Sequence, residues 1–163
     1  MPIPQHRFLL KLLFLIYVIL LFVCILLKHP QTFKRAVQQY SFTNVKNGKR
    51  KLVLVPLKTT YRYLSGEKGF WPAVANIGGN IIGFMPMGLM LPLLFPSLNS
   101  KRKTVFLVAC SSCLFEIIQL FVGVGYCDID DLWQNVLGGL LGFLLYKKLY
   151  VKNQNPLPPV SKA

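Results

Sequence analysis

The stretch Asn76-Ile77-Gly78-Gly79-Asn80-Ile81-Ile82-Gly83-Phe84-Met85-Pro86-Met87-Gly88 sits inside an apolar run from Ala73 to Phe95. A bilayer takes about 20 predominantly apolar residues to cross, and this run is long enough. It nevertheless carries two carboxamides, Asn76 and Asn80, four residues apart. On a helix that spacing puts both on one face. A carboxamide in hydrocarbon is costly unless it meets a partner, so the pair faces other protein groups or water. Two uses fit: interhelical hydrogen bonding, the ordinary glue of membrane helices, and the lining of a polar pocket. What the other helices hold at the same depth decides between them.

The whole composition agrees with a membrane setting. The chain is 53% hydrophobic and only 15% charged, with a mean hydropathy of +0.48, values that suit a small integral membrane protein better than a soluble domain. Lys and Arg number 19 against 5 Asp and Glu. Such a balance in a soluble chain would point to nucleic acid. Here the basic residues flank apolar runs, so lipid headgroups and topology signals account for them, and no nucleic-acid partner is expected.

Outward from the central run, four spans are expected: Phe8 to Leu27, Ala73 to Phe95, Thr104 to about Gly123, and Leu132 to Tyr146. The last is short for a crossing and ends at Lys147 and Lys148. The predicted fold class is therefore an all-α membrane protein of about four transmembrane helices, one membrane domain over residues 1–163, with a long basic loop between the first and second spans. The tail from Asn153 to Ala163 has three prolines and no apolar run, the composition of a disordered end. The first span lacks a small-x-small pattern after Leu27 and reads as an uncleaved anchor. Basic clusters beside the span ends, Arg7, Lys11, Lys101-Arg102-Lys103 and Lys147-Lys148, place both termini in the cytoplasm.

Alternating spans fix relative depth. Asn76 and Asn80 fall in the outer third of the second span. The third span carries Ser112, Glu116 and Gln119 on one face, with Glu116 roughly 10 Å below its outer end at about 1.5 Å per residue. The fourth follows Asp128, Asp130 and Asp131, and Asp131, Asn135, Gly138 and Gly142 share a stripe. Three spans thus bring polar groups to one level, and the predicted polar pocket is Asn76, Asn80, Glu116, Gln119, Asp128, Asp131 and Asn135. Gly79, Gly83, Gly88, Gly138 and Gly142 are the predicted sites of close helix packing, and Pro86 with Pro92 predicts a bend in the second span.

Glu116 carries the sharpest functional signal. An ionised carboxylate in the apolar zone costs about 3 kcal/mol, so it is protonated, paired or hydrated. Asn80 and Gln119 are expected as hydrogen-bond partners, with Lys58, Arg62 or Lys68 as counter-charges. The alternative is a buried bond that fixes helix register. Asp131 is expected to cap the last helix, though three carboxylates in four positions exceed what a cap needs. No metal site is assigned, because the acidic segment lacks a full ligand set, and no cofactor is expected. Cys110 and Cys113 lie in an apolar helix without nearby histidines, which excludes the usual redox or zinc reading. The Leu52 to Leu64 segment, apolar and aromatic with basic punctuation, suits the membrane interface or a lid.

Taken in order, these motifs resemble the VanZ-like family of membrane proteins. Asn80 to Gly88 is similar to its N-x-x-x-F-x-P-x-G signature, and Phe115-Glu116-Ile117-Ile118-Gln119 to its F-E-x-x-Q. Asp128-Ile129-Asp130-Asp131 with Asn135 to Gly142 resembles its D-I-x-D…N-T-x-G-G-x-x-G, with Val136 in place of Thr. Leu54 to Leu57 resembles its N-L-x-P-F element, with Val53 for Asn and Leu57 for Phe. Gly125 or Tyr126 stands where many members carry an arginine. The resemblance runs from about Leu52 to Tyr146. It implies a multi-pass cell-envelope protein of the kind linked to teicoplanin resistance. Two readings follow. One is a non-enzymatic protein that binds or shields a lipid-linked cell-wall precursor or glycopeptide at the outer face. The other is an intramembrane enzyme with Glu116 as acid or base. No nucleophile–base pair is evident, which favours the first. The expected partners are membrane lipids, and a carrier role would need an oligomer.

Overall fold

A helix that is apolar on every side belongs in lipid, and the first element is of that kind. The computed structural model describes residues 4–28, 52–122 and 127–151. Within them α1 spans Pro4–Leu27, with most of its large side chains, such as Phe8, Leu9 and Leu20, facing outward. A short α2, Lys58–Leu64, follows the two-residue strand β1, Leu52–Val53. The helical run α3 covers Phe70–Leu94 and contains a π-helical turn at Val74–Gly78. A 3-10 turn at Pro96–Leu98 leads to α4, Lys101–Val122. The strand β2, Cys127–Asp128, then opens α5, Ile129–Tyr146. The two strands pair in parallel, Leu52 with Cys127 and Val53 with Asp128.

The protein is an all-α membrane protein apart from that one pairing. Among the described residues, three helices are long and apolar enough to cross a membrane: Arg7–Leu27, Phe70–Leu94 and Lys101–Val122. The expected short fourth span, α5, has 18 residues, or about 27 Å at 1.5 Å per residue. It packs most extensively on α3, then on α4. The predicted tail from Asn153, the 29–51 part of the long loop, and Gly125 and Tyr126 lie outside the described residues. Pro86 and Pro92 sit inside a continuous α-helical stretch, Gly79–Leu94. The irregular turn lies upstream of both, and it holds Asn76.

Lipid tails are as apolar as leucine, so burial alone does not hold these helices together; close packing and hydrogen bonds do. Glycine supplies the packing. A Cβ on Gly138 would land on the Ile81 carbonyl, one on Gly142 on the Met85 carbonyl, and one on Gly88 on the Gly139 carbonyl. The α3 and α5 backbones are therefore in direct contact. A Cβ on Gly83 would come within 3.2 Å of the Leu21 side chain of α1, whereas one on Gly79 would meet open space. Beside this seam Phe84, Met87, Leu91, Val108 and Phe115 form a buried cluster, against which α1 lays Phe14, Tyr17, Val18 and Phe22. Tyr17 anchors α1 further, its hydroxyl donating to the Gly83 carbonyl at 2.6 Å.

Gly142→Ala forces one backbone off another and should cost about 1–3 kcal/mol, the range for overpacking. Gly79→Ala should be neutral or slightly stabilising, since alanine is the better helix former. Thermal unfolding of the two variants in the same detergent checks this; equal midpoints would contradict the seam.

Candidate functional site

The acidic segment that opens α5 does three separate jobs. Asp128 is the N-cap of α5, its side chain accepting from the Asp130 N–H at 2.9 Å. The cap is thus Asp128, a correction to the expected Asp131; capping needs extended backbone, which Asp128 has and Asp131, already inside the helix, lacks. Asp130 instead serves the N-terminus of α2. It accepts from Leu57 N at 2.6 Å and Thr60 N at 2.8 Å, and from the Trp133 indole at 3.2 Å. Leu57 holds a left-handed backbone with φ 63, a conformation that costs a β-carbon residue about 1–2 kcal/mol, and the carboxylate on its N–H fixes it there. Asp131 takes the ammonium of Lys28, at 2.6 Å, and the Asn80 amide, at 2.7 Å.

From Asp131 a network spreads across the bundle. Lys28 also donates to Asn80 Oδ1 at 3.1 Å. The second Asn80 N–H reaches Gln134 Oε1 at 2.9 Å, and Gln134 Nε2 reaches Thr60 Oγ1 at 3.0 Å. Helices α1, α2, α3 and α5 are thereby tied at one end. Helix α4 joins through Glu116, whose Oε2 accepts the Asp128 N–H at 3.0 Å, and through Gln119, which donates to the Ile25 carbonyl of α1 at 3.0 Å. Asn135 donates to Ser112 at 2.8 Å, and its own Oδ1 has no partner among the described residues.

Above the network lies a cavity of about 530 Å³. Asp128, Asp131 and Asn76 line it from the bundle. Lys58, Arg62 and Tyr63 line it from α2, and Lys68 from the following turn. Helix α2 is therefore a lid over the end of the bundle. Burial pushes the Asp128 carboxyl above its ordinary value, against bonds from Thr59 and the Asp130 N–H that lower it. Burial, then the nearby Asp131 and Asp128 charges, raise the Tyr63 phenol. Arg62 is paired with Glu67 in an exposed bridge at 2.9 Å, while Lys58 and Lys68 make no salt bridge among the described residues. Asn76 is buried, and its Oδ1 has no partner among those residues.

Of the predicted site residues, Asn76, Asp128 and Asp131 line this cavity. Asn80 lies behind Asp131 and bonds it. Glu116, Gln119 and Asn135 are buried in the bundle with other partners. The expected bonds from Asn80 and Gln119 to Glu116 are not among those formed, because Asp131 and the Ile25 carbonyl take those amides. Lys58, Arg62 and Lys68 face the cavity and its aspartates. Among the described residues no group of three His, Cys, Asp or Glu is placed to hold a metal ion. Sequence reasoning missed Lys28, Thr60 and Gln134. Lys28 ends the first apolar run at the depth of the polar level, and Gln134 lies one turn beyond Asp131; both signals were present in the spacing.

A partly buried ion pair is destabilising to break because it strands a charge. Lys28→Met and Asp131→Asn should each lower stability, and the double variant should lose less than their sum by about 0.5–3 kcal/mol, the usual coupling for groups in contact. A double-mutant cycle on thermal unfolding reads this directly; strictly additive losses would remove the pair from the account.

These features can be set beside known proteins. A family model described as VanZ/LLP1 matches residues 14–151. Protein VanZ of Enterococcus faecium is 40% identical to the chain over 67 residues, a match that covers 41% of this chain and 41% of that protein. The aligned part thus spans about two fifths of the relative it matches. No solved structure matches the chain. With the family match running from α1 through α5 and taking in every residue of the network above, the chain belongs to the VanZ/LLP1 family.

Proposed function

We propose that this protein binds the phosphate-bearing headgroup of a membrane lipid, of the class that carries cell-wall precursors, in the cavity under α2. The observation that carries the reading is the lining: Lys58, Arg62 and Lys68 converge on a cavity of about 530 Å³ at one end of a membrane bundle. A charge-assisted bond from Lys or Arg to phosphate oxygen is among the stronger hydrogen bonds available to a protein. Basic side chains at a bundle end also sit where anionic headgroups are. The surroundings suit the interface too, for Leu54, Val55, Tyr61, Leu64, Phe70 and Trp71 are exposed around the lid. The end carrying the cavity is taken as the outer one, with the termini cytoplasmic, and the role as retention or shielding of the lipid rather than its conversion. Glu116 is absent from the cavity lining, and its bond to the Asp128 N–H gives it a positioning part.

Purified protein in nanodiscs should bind a polyprenyl-pyrophosphate-linked disaccharide peptide. The Lys58→Ala/Lys68→Ala variant should bind at least about tenfold more weakly, two lost phosphate contacts at about 1 kcal/mol each. Equal affinities would sink the reading. In cells, expression should raise the teicoplanin concentration needed to stop growth, and the same double substitution should abolish the rise; unchanged susceptibility would separate the chain from glycopeptide resistance.

A further inference from the structure

The cavity is electrically two-sided, and the basic side accounts for only half of it. The bundle side presents acceptors. Asp128 and Asp131 line the cavity from the start of α5, and Asn76, about nine-tenths buried, has a carbonyl oxygen with no donor among the described residues. Tyr63 lines the same space and lies within the field of both aspartates. An unmet acceptor in a buried setting costs about 1–3 kcal/mol, so the site is short of a donor. The Asp128 carboxylate, the Asn76 amide oxygen and an aromatic ring, beside an Asp131 already shared with Lys28 and Asn80, are surroundings that suit a protonated amine, through charge-assisted bonds and cation–π attraction. A ligand bearing phosphate alone would face Lys58 of α2 and Lys68 of the following turn and be repelled by Asp128.

We infer that the headgroup bound in this cavity is zwitterionic: its phosphate lies against Lys58, Arg62 and Lys68, and a protonated primary amine on the same headgroup lies against Asp128, Asn76 and Tyr63. This rests on the headgroup reading above and sharpens it. The phosphate half sets the affinity for anionic lipids in general, and the amine half sets selectivity among them. Both halves meet on one ligand because the strand pairing of Val53 with Asp128 and the bonds from Leu57 and Thr60 to Asp130 hold the lid at a fixed distance from the start of α5.

The test uses the full chain in detergent micelles, with binding read by native mass spectrometry. The probes are short-chain phosphatidylethanolamine, phosphatidylglycerol and phosphatidic acid of matched tails, plus soluble glycerophosphoethanolamine as competitor. Phosphatidylethanolamine is expected to bind about tenfold or more tightly than the two amine-free lipids. Asp128→Asn should erase that preference while leaving phosphatidic acid binding unchanged or improved; asparagine is as good an N-cap as aspartate, so α5 keeps its start. Tyr63→Leu should narrow the preference without unfolding the lid. Equal binding of all three lipids overturns the zwitterion and leaves the phosphate reading standing. Binding of none above the Lys58→Ala/Lys68→Ala background overturns both. Competition by the soluble compound as strong as by the lipid keeps the zwitterion and overturns the membrane source.

Discussion

Everything at the polar end of this bundle follows from three carboxylates that cannot be left without partners. Asp128, Asp130 and Asp131 stand at the start of a helix packed into membrane-embedded neighbours, where an uncompensated charge costs several kcal/mol. Each is met by a different part of the chain. Asp128 is met by its own helix. Asp130 takes the amides at the start of α2, and Asp131 the ammonium at the end of α1 and the Asn80 amide of α3. The observed arrangement satisfies all three at once, so the acidic segment ties α1, α2 and α3 to α5.

Short side chains can make such bonds only if the backbones are near. Asn80 and Asp131 each have two carbons beyond Cα, and their bond at 2.7 Å requires α3 and α5 to approach closely. The glycines make that approach. Gly138 sits one backbone width from Ile81, and Gly142 from Met85, on the turns that follow the bond. Packing seam and polar network are thus one construction, with glycine contact below setting the distance that the Asn80–Asp131 bond uses above. It also explains how a helix with as many polar residues as α5 is accommodated: Asp130, Asp131, Gln134 and Asn135 are all buried against protein, not lipid.

Much of this was legible in the residues. Asn80 and Asn135 are conspicuous because polar groups in apolar runs must point inward, and both are buried. The glycines at Gly138 and Gly142 were readable from their spacing. What spacing does not carry is pairing. Glu116 was assigned Asn80 and Gln119 as partners because they share its depth, but depth is one coordinate of three. Asp131, on the neighbouring helix, takes the Asn80 amide while it also holds Lys28. The composition of Leu52 to Leu64 allowed a lid but did not show what holds it. Asp130 reaches α2 across 70 residues of sequence, and no local pattern in Lys58–Leu64 announces a helix capped from elsewhere.

The network leaves a residue of charge that the fold itself does not use. Asp131 is neutralised by Lys28, and Asp130 by the backbone amides that open the lid and by the Trp133 indole, so neither acid draws on a charged side chain of the lid. Lys58 and Lys68 are consequently not engaged by the carboxylates facing them across the cavity, and among the described residues they form no salt bridge. The ion pair at the end of α1 thus meets the buried acid from the bundle side, while Lys58 and Lys68 line the cavity opposite it without a salt bridge among the described residues.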